Sequence, residues 1–433
     1  MAIIDIPNAF APTRIEDKND IVIVRLRGKL AELMVATAPE IYKKYLSLNR
    51  KGELVLYVEA LNALYGIMKA ALLFYLNFVK NLKSIGFVLN PYDPCMANKI
   101  FDGVQLTVVR HMDYLKVSHV DAVVVTRISV WLQKTYERRV DDGSGAMKLK
   151  RGKIHEYLGM QLDFSVVGQV KITMFDYIQE MLEDFHKFNP NKTISRTPAA
   201  DHLFKVRDDQ PKLDEHKAQV FHTFTAKALF ATKRARPDIH TSVAFLITRV
   251  IFPDEYDWNK LLRMMRYLRG TKELLLVLRA DSTNIVKWWV DGSYGIHPDA
   301  RSHTGVTASL GKGSFISTSI KHRLNTRSST ETELVAADDL MPHLCWTNYF
   351  LECQGYNINS TIIYQDNQSA ILLENNGRAS SSKRTKHLNI RYFFSPTESR
   401  RVTFILNIVP PTIWSRIFLP NLFKARNFYS SEK

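Results

Sequence analysis

The chain has 433 residues, 45% hydrophobic and 24% charged, with 59 Lys and Arg against 43 Asp and Glu, a formal net charge of +16. These values exclude a wholly disordered or fibrous chain and leave room for about two or three domains with sizeable cores. No uncharged apolar run approaches the roughly 18 residues of a membrane span, and the start Met1-Ala2-Ile3-Ile4-Asp5 lacks the basic segment of a signal peptide. The three cysteines, Cys95, Cys345 and Cys353, form no C-x-x-C pair, which excludes a disulfide framework or a cysteine zinc site. The expectation is a soluble intracellular protein, cytoplasmic or nuclear, with no membrane association and a basic surface suited to a polyanion.

The chain opens on a strand pattern, Ala2 to Ile4, ending at Asp5. Residues 21–24 and 54–58, rich in β-branched side chains, read as further strands, with loop and helix at 31–45 between them. Residues 68–85 predict a helix: Leu72, Tyr75, Leu76, Val79 and Leu82 recur at three- and four-residue steps before Gly86. A hairpin follows, with 104–109 running into Arg110-His111-Met112-Asp113-Tyr114 and 115–119 running away. Then come a helix over 121–136, strands over 157–164 and 168–173, and a helix over 175–185. This mixture predicts an α+β unit with an antiparallel sheet.

Residues 189–215, polar and carrying Pro190, Pro198 and Pro211, read as a linker. The pattern over 216–270 is helical, in three pieces broken near Pro237 and Pro253. Strands at 274–278, 285–290, 306–310 and 315–319, a helix over 331–340 with a kink at Pro342, a strand at 361–364 and a helix at 368–374 predict a final α/β domain. Residues 402–433 have no clean period and carry Pro410-Pro411 and Pro420.

Two groups of carboxylates stand where chemistry is done. Asp5 ends a predicted strand and Asp113 sits at the tip of the hairpin. At the rim of a sheet such acids can hold hard divalent ions, which take oxygen ligands, and a metal pair can clamp both oxygens of a phosphoryl transfer. A strand-end aspartate is more often a turn residue or a cap. The second group is Asp291 and Asp366, each after an apolar run, with Glu333 in the first turns of a helix.

These positions lie inside strings that identify a resemblance. Asp5-Ile6-Pro7-Asn8-Ala9-Phe10, Leu64-Tyr65-Gly66-Ile67-Met68-Lys69-Ala70-Ala71, His111-Met112-Asp113-Tyr114 and Tyr157-Leu158-Gly159-Met160 resemble, in order, the palm strings of copia-type LTR retrotransposon Pol polyproteins. Ala231-Thr232-Lys233-Arg234-Ala235-Arg236-Pro237-Asp238-Ile239 is similar to the A-K-R-x-R-P-D-I string of the connecting region. Arg301-Ser302-His303-Thr304-Gly305, Ser328-Ser329-Thr330-Glu331-Thr332-Glu333-Leu334, Asp366-Asn367-Gln368-Ser369-Ala370-Ile371 and Arg384-Thr385-Lys386-His387-Leu388-Asn389-Ile390-Arg391-Tyr392 resemble the RNase H strings.

The resemblance implies a partial α+β polymerase palm with truncated fingers, over residues 1–190. A helical connection (191–284), an α/β RNase H-like domain (285–396) and an atypical basic tail (397–433) follow. It implies a reverse transcriptase, an RNA-directed DNA polymerase, joined to a nuclease that hydrolyses RNA in RNA–DNA hybrids. Asp5 and Asp113 would ligate Mg²⁺ for nucleotide addition, and Phe10 would be the gate that favours deoxynucleotides; read alone, Phe10 is a core aromatic. Asp291, Glu333 and Asp366 would hold the nuclease's two metals, Mg²⁺ or Mn²⁺, with Glu331 the rival to Glu333. Lys383, Arg384, Lys386, His387 and Arg391 form a basic cluster suited to phosphate neutralisation. The partners implied are an RNA template, a DNA primer, deoxynucleotides and the hybrid.

Three departures set an expectation of impaired polymerisation. The palm string begins at residue 5, where the family has finger strands upstream. Tyr114 replaces the second aspartate of the family's Y-V-D-D, and its phenol, with a reference pKa of about 10, is neutral near pH 7. The family's closing A-D-x-F-T-K-P string, which carries a fourth nuclease carboxylate, is absent, and a changed reading frame near 397–402 is expected. The alternative is a non-catalytic, nucleic-acid-binding remnant of a transposable element.

Overall fold

The opening strand, Ala2–Asp5, lies between two antiparallel neighbours, Tyr114–Ser118 and Lys148–Arg151. Beyond Tyr114–Ser118 follow Val104–His111, Met96–Phe101 and Val88–Leu89, completing a six-stranded sheet. The hairpin joining Val104–His111 to Tyr114–Ser118 turns at Met112 and Asp113, the place the sequence gives it. This computed structural model describes residues 1–7, 9–10, 13, 15, 21–64, 66–67, 69–137 and 145–371, together with the backbone of 404–408. They divide into two units, Met1–Gly152 and Lys153–Lys433.

In the first unit the helices Ala70–Ser84 and Ala122–Tyr136 supply the apolar side chains that cover the sheet, with Phe74, Phe78 and Leu82 meeting Val125, Ile128 and Leu132 in one core. Burying each such side chain contributes about 1.5–3 kcal/mol. The buried stripe of the first helix is Ala70, Phe74, Phe78 and Leu82, one residue per turn, not the series beginning at Leu72. Leu72 and Leu76 are each 53% exposed. Apolar residues run around this helix, so spacing alone does not choose the face; the aromatic rings do, because they bury the most area. A separate three-stranded sheet joins Ile23–Arg27, Leu54–Glu59 and Ser47–Leu48.

The second unit begins with the hairpin Ile154–Tyr157 and Met160–Asp163, followed by Gln169–Thr173. Its two-residue turn puts Leu158 at φ 51° and Gly159 at φ 76°, the positive values that hairpin turns of this length demand. Arg234 Nε donates to the Leu158 carbonyl at 3.1 Å while its guanidinium lies over the Phe230 ring. Two strings the sequence lists separately are therefore in contact.

The fourth strand of this sheet is Leu276–Ala280, antiparallel to Gln169–Thr173, with Gly311–Lys312 at the edge. This corrects the reading of 274–278 as the opening of the last domain's sheet: its partner is the hairpin sheet. The helices Glu215–Thr232, His240–Ile247 and Glu255–Gly270 break at the two prolines, which cannot donate within a helix. The last starts on a capping box between Asp254 and Asp257. Arg236, 0% exposed, is held by Asp238 in a two-pronged ion pair at 2.8 and 2.6 Å and donates to the carbonyl and hydroxyl of Thr271.

The third sheet has the order Ile316–Lys321, His303–Ser309, Ile285–Ser293, Ser360–Gln365 and Phe404–Ile408. The first three are antiparallel and the last three parallel, with the helix Ser329–Cys353 making the crossover. Its side chains Ala336, Leu340 and Leu344 pack on Val286, Trp288, Val290 and Ile363. The helix runs unbroken through Pro342, longer than the expected 331–340. The strand Phe404–Ile408 pairs in parallel with Ser360–Gln365, so the sheet extends past residue 396 and takes its fifth strand from the stretch assigned to a tail. Among the described residues no helix is long and apolar enough to cross a membrane.

Candidate metal centre

The parallel pairing of Ile285–Ser293 with Ser360–Gln365 puts Trp289 opposite Tyr364, their rings stacked at 5.1 Å. Asp291 and Asp366, each two residues further along, therefore come to the same edge of the sheet. The helix Ser329–Cys353 enters there on a Ser328 cap, whose hydroxyl accepts from the Glu331 amide at 3.1 Å. Glu331 is part of this helix start: its carboxylate accepts from the Arg327 amide at 2.7 Å. Glu333, 0% exposed, reaches the strand instead, accepting from the Gly292 amide at 2.8 Å. One carboxylate oxygen each from Asp291, Glu333 and Asp366 lies within 4.8 Å of the others. The structure thus separates the two glutamates and brings the second to the aspartates.

Three oxygen donors, two of them on buried residues, are the donor set of a hard divalent cation. Mg–O bonds of about 2.1 Å put two oxygens of one ion up to about 4.2 Å apart. A pair of ions about 3.5–4 Å apart spans the remainder. Gathering carboxylates out of water raises their mutual repulsion and their desolvation cost, both of which a cation offsets. The residues fit a metal.

Around the centre, Ser302, Thr326 and Thr332 form a buried triangle of hydroxyls with sides of 2.7, 2.6 and 3.1 Å. It ties the start of strand His303–Ser309 to the first turns of the helix. Beside it, His297 and His303 face each other at 3.0 Å, and His303 meets Ser319 at 2.7 Å. Burial, ahead of neighbouring positive groups, pushes His297 down to about 4 and His303 well below its ordinary value. These histidines are neutral, hydrogen-bonded parts of the core. The sequence motifs give Gly292 and Thr332 no role of their own; a glycine inside a strand pattern, next to a candidate ligand, is the signal of close approach that points to the first.

In the first unit Asp5 pairs across the ladder with Tyr114 on one side and Lys148 on the other. The Ile6 amide donates to the Asp113 carbonyl at 3.2 Å, so Asp5 and Asp113 share one rim. Lys148 Nζ lies 3.8 Å from the Asp5 carboxylate, and Tyr114 is 40% exposed. Phe10, 4% exposed, packs edge to face on Phe74 at 5.8 Å, as a core aromatic does. Lys383, Arg384, Lys386, His387 and Arg391 lie outside the described residues.

The chain is thus a mixed α/β protein with a three-carboxylate centre on a five-stranded mixed sheet. No protein-family profile matches it. It is 25% identical over 380 residues to a retrovirus-related Pol polyprotein from transposon TNT 1-94 of Nicotiana tabacum, covering 86% of this chain and 27% of that relative. It is 23% identical over 283 residues to a transposon Ty5-1 protein of Saccharomyces cerevisiae (65% of this chain, 87% of the relative). A 161-residue stretch is 30% identical to the Pol polyprotein from transposon RE2 of Arabidopsis thaliana (37% and 11%). Its homologues are copia-type Pol polyproteins of transposons, and the chain spans about a quarter of the tobacco relative. Among solved structures, it is similar to a foamy viral protease-reverse transcriptase in complex with dsDNA, at 11% identity and a TM-score of 0.48 over 95% of this chain and 68% of that one. An RNase H1 isolated from compost is 12% identical, with a TM-score of 0.24, over 31% of this chain and 90% of that one.

Proposed function

We propose that the second unit hydrolyses the RNA strand of an RNA–DNA hybrid, using Mg²⁺ or Mn²⁺ held by Asp291, Glu333 and Asp366. The observation that carries this reading is the convergence of the three carboxylates within 4.8 Å. Bound there, the ions supply the Lewis acidity that phosphodiester hydrolysis requires. The chain's own part is to hold the oxygens: Asp291 lies near the end of one strand, Asp366 just past the end of its parallel neighbour, and Glu333 is fixed by the Gly292 amide. The basic cluster Lys383, Arg384, Lys386, His387 and Arg391 is assigned to the hybrid's phosphates, which it would bind without reading sequence.

The first unit is read as a reverse-transcriptase palm in which Asp5 and Asp113 would direct deoxynucleotide addition to a DNA primer on an RNA template, with Phe10 as the gate. Its activity is impaired in this reading. Tyr114 contributes no negative charge near pH 7, and Lys148 places a positive one 3.8 Å from Asp5. Both weaken the field that attracts a cation, and electrostatic stabilisation is usually the largest catalytic contribution. The second reading, a nucleic-acid-binding remnant without turnover, is favoured by Tyr114 and by the net charge of +16.

Incubating the chain with a labelled hybrid and Mg²⁺ or Mn²⁺ decides between them. Metal-dependent RNA cleavage that Asp366→Asn abolishes supports the nuclease. Salt-sensitive hybrid binding without cleavage supports the remnant.

A further inference from the structure

Gly292 and Thr332 meet where the strand Ile285–Ser293 passes under the helix Ser329–Cys353. A Cβ placed on Gly292 would lie 2.9 Å from Thr332 Cγ2, 3.0 Å from the Thr332 carbonyl oxygen and 3.1 Å from Glu333 Oε2. All three are closer than packed carbon atoms ordinarily approach. Nothing in the backbone at 292 asks for glycine, since its φ is not in the left-handed region. The requirement is one of space.

The neighbours cannot yield cheaply. The Thr332 hydroxyl is engaged by Thr326 at 2.6 Å, by Ser302 at 3.1 Å and by the Ser328 carbonyl at 3.1 Å, which fixes its rotamer and holds Cγ2 in place. The Thr332 carbonyl belongs to the helix backbone. Of the three atoms facing position 292, the Glu333 carboxylate is the one with side-chain torsions left to turn. It is also the atom that the Gly292 amide holds at 2.8 Å.

We infer that Gly292 is a positioning residue for the metal centre: its amide orients the Glu333 carboxylate, and its missing side chain is what lets that carboxylate stand beside Asp291 and Asp366. The hydroxyl triangle of Ser302, Thr326 and Thr332 is the other half of the device, since it clamps the helix against the strand at that point. This inference rests on the reading of Asp291, Glu333 and Asp366 as a cation site. It adds that the backbone amide and the empty volume at 292 set the site's affinity.

The test is Mn²⁺ binding by the full chain, followed by the loss of the free-ion electron paramagnetic resonance signal, with thermal melting as a check on folding. Gly292→Ala is expected to weaken Mn²⁺ binding about tenfold or more while leaving a cooperative melt. Thr332→Ser keeps the hydroxyl and removes Cγ2; alone it is expected to stay within about twofold of the parent. Combined with Gly292→Ala it is expected to recover part of the lost affinity, a rescue that general destabilisation does not produce. Parent-like Mn²⁺ affinity in Gly292→Ala overturns the inference and leaves the metal site standing. The same holds if Gly292→Ala is weakened but the double variant recovers nothing. A parent chain that takes up no Mn²⁺, or takes it up equally after Asp366→Asn, overturns the underlying site and the inference with it.

Discussion

The two carboxylate groups are built by different means. Asp5 and Asp113 are brought to one rim by the register of neighbouring antiparallel strands, close to solvent, with an exposed lysine drawn to one of them. Asp291, Glu333 and Asp366 come from two parallel strands and the helix that crosses between them. Asp291 and Glu333 are buried, and Glu333 is further fixed by a backbone amide. A rim built by local pairing keeps its shape whatever side chain stands at 114, because the backbone ladder does not depend on it. A centre built by tertiary packing has less freedom, since the helix must sit against the strand for the acids to meet at all. The second group has the donor set and spacing that a divalent cation needs, whereas one acid of the first has a lysine 3.8 Å away.

The largest effect expected from this contrast is on catalysis. Asp291→Asn should lower hybrid cleavage by on the order of a hundredfold or more, as loss of a group at the reacting centre does, whereas Asp5→Asn should leave it unchanged. Equal losses in a steady-state cleavage assay would erase the distinction between the sites. Next in size is the core of the first unit. Phe74→Ala should cost about 3–5 kcal/mol in urea unfolding, against less than about 0.5 kcal/mol for the exposed Leu72→Ala; similar values would mean that the buried stripe has been misplaced.

A gain of function sharpens the contrast from the other side. Tyr114→Asp should raise primer extension on a primed RNA template by roughly tenfold, about 1.4 kcal/mol of restored electrostatic stabilisation. No change would contradict the reading of Tyr114 as the cause of impaired polymerisation.

A further effect is a pH dependence of the second unit. Burial chiefly, with Lys233 adding to it at His240, pushes both His240 and His297 down to about 4. His303 and His322 are lowered too, again chiefly by burial. In the unfolded chain such groups take up protons near their ordinary 6.5. Between about 6.5 and about 4 the unfolded state therefore binds more protons, so stability is complete above 6.5 and is lost as the pH falls through that window. The thermal midpoint of the second unit should drop between pH 7 and pH 5. A flat profile would show that these histidines are not held neutral by the fold.

Much of the architecture is legible in the chain because it depends on local signals. The hairpin at Met112 and Asp113, the helix breaks at Pro237 and Pro253, and the aspartates at 291 and 366 all follow apolar runs or turn residues that mark them, whereas the choice of Glu333 over Glu331 rests on the resemblance. What escaped was decided at a distance. The face of the helix Ala70–Ser84 was ambiguous because apolar residues encircle it, and only packing against the sheet selects Phe74 and Phe78. The partner of Leu276–Ala280 lies about a hundred residues earlier, where no spacing rule reaches. The fifth strand, Phe404–Ile408, lies in a stretch without a clean period. The run Phe404-Ile405-Leu406, closed by Pro410-Pro411, nevertheless carries an ordinary strand signal. Gly292 had a readable sign, but the space it leaves exists only once the helix lies over it.

Crystals grown with Mn²⁺ and measured at the manganese absorption edge test the central claim most directly. An anomalous peak within coordination distance of Asp291, Glu333 and Asp366, stronger than any at Asp5 and Asp113, is the expected result. A peak confined to the Asp5–Asp113 rim, or none at the three-carboxylate centre, would contradict the account.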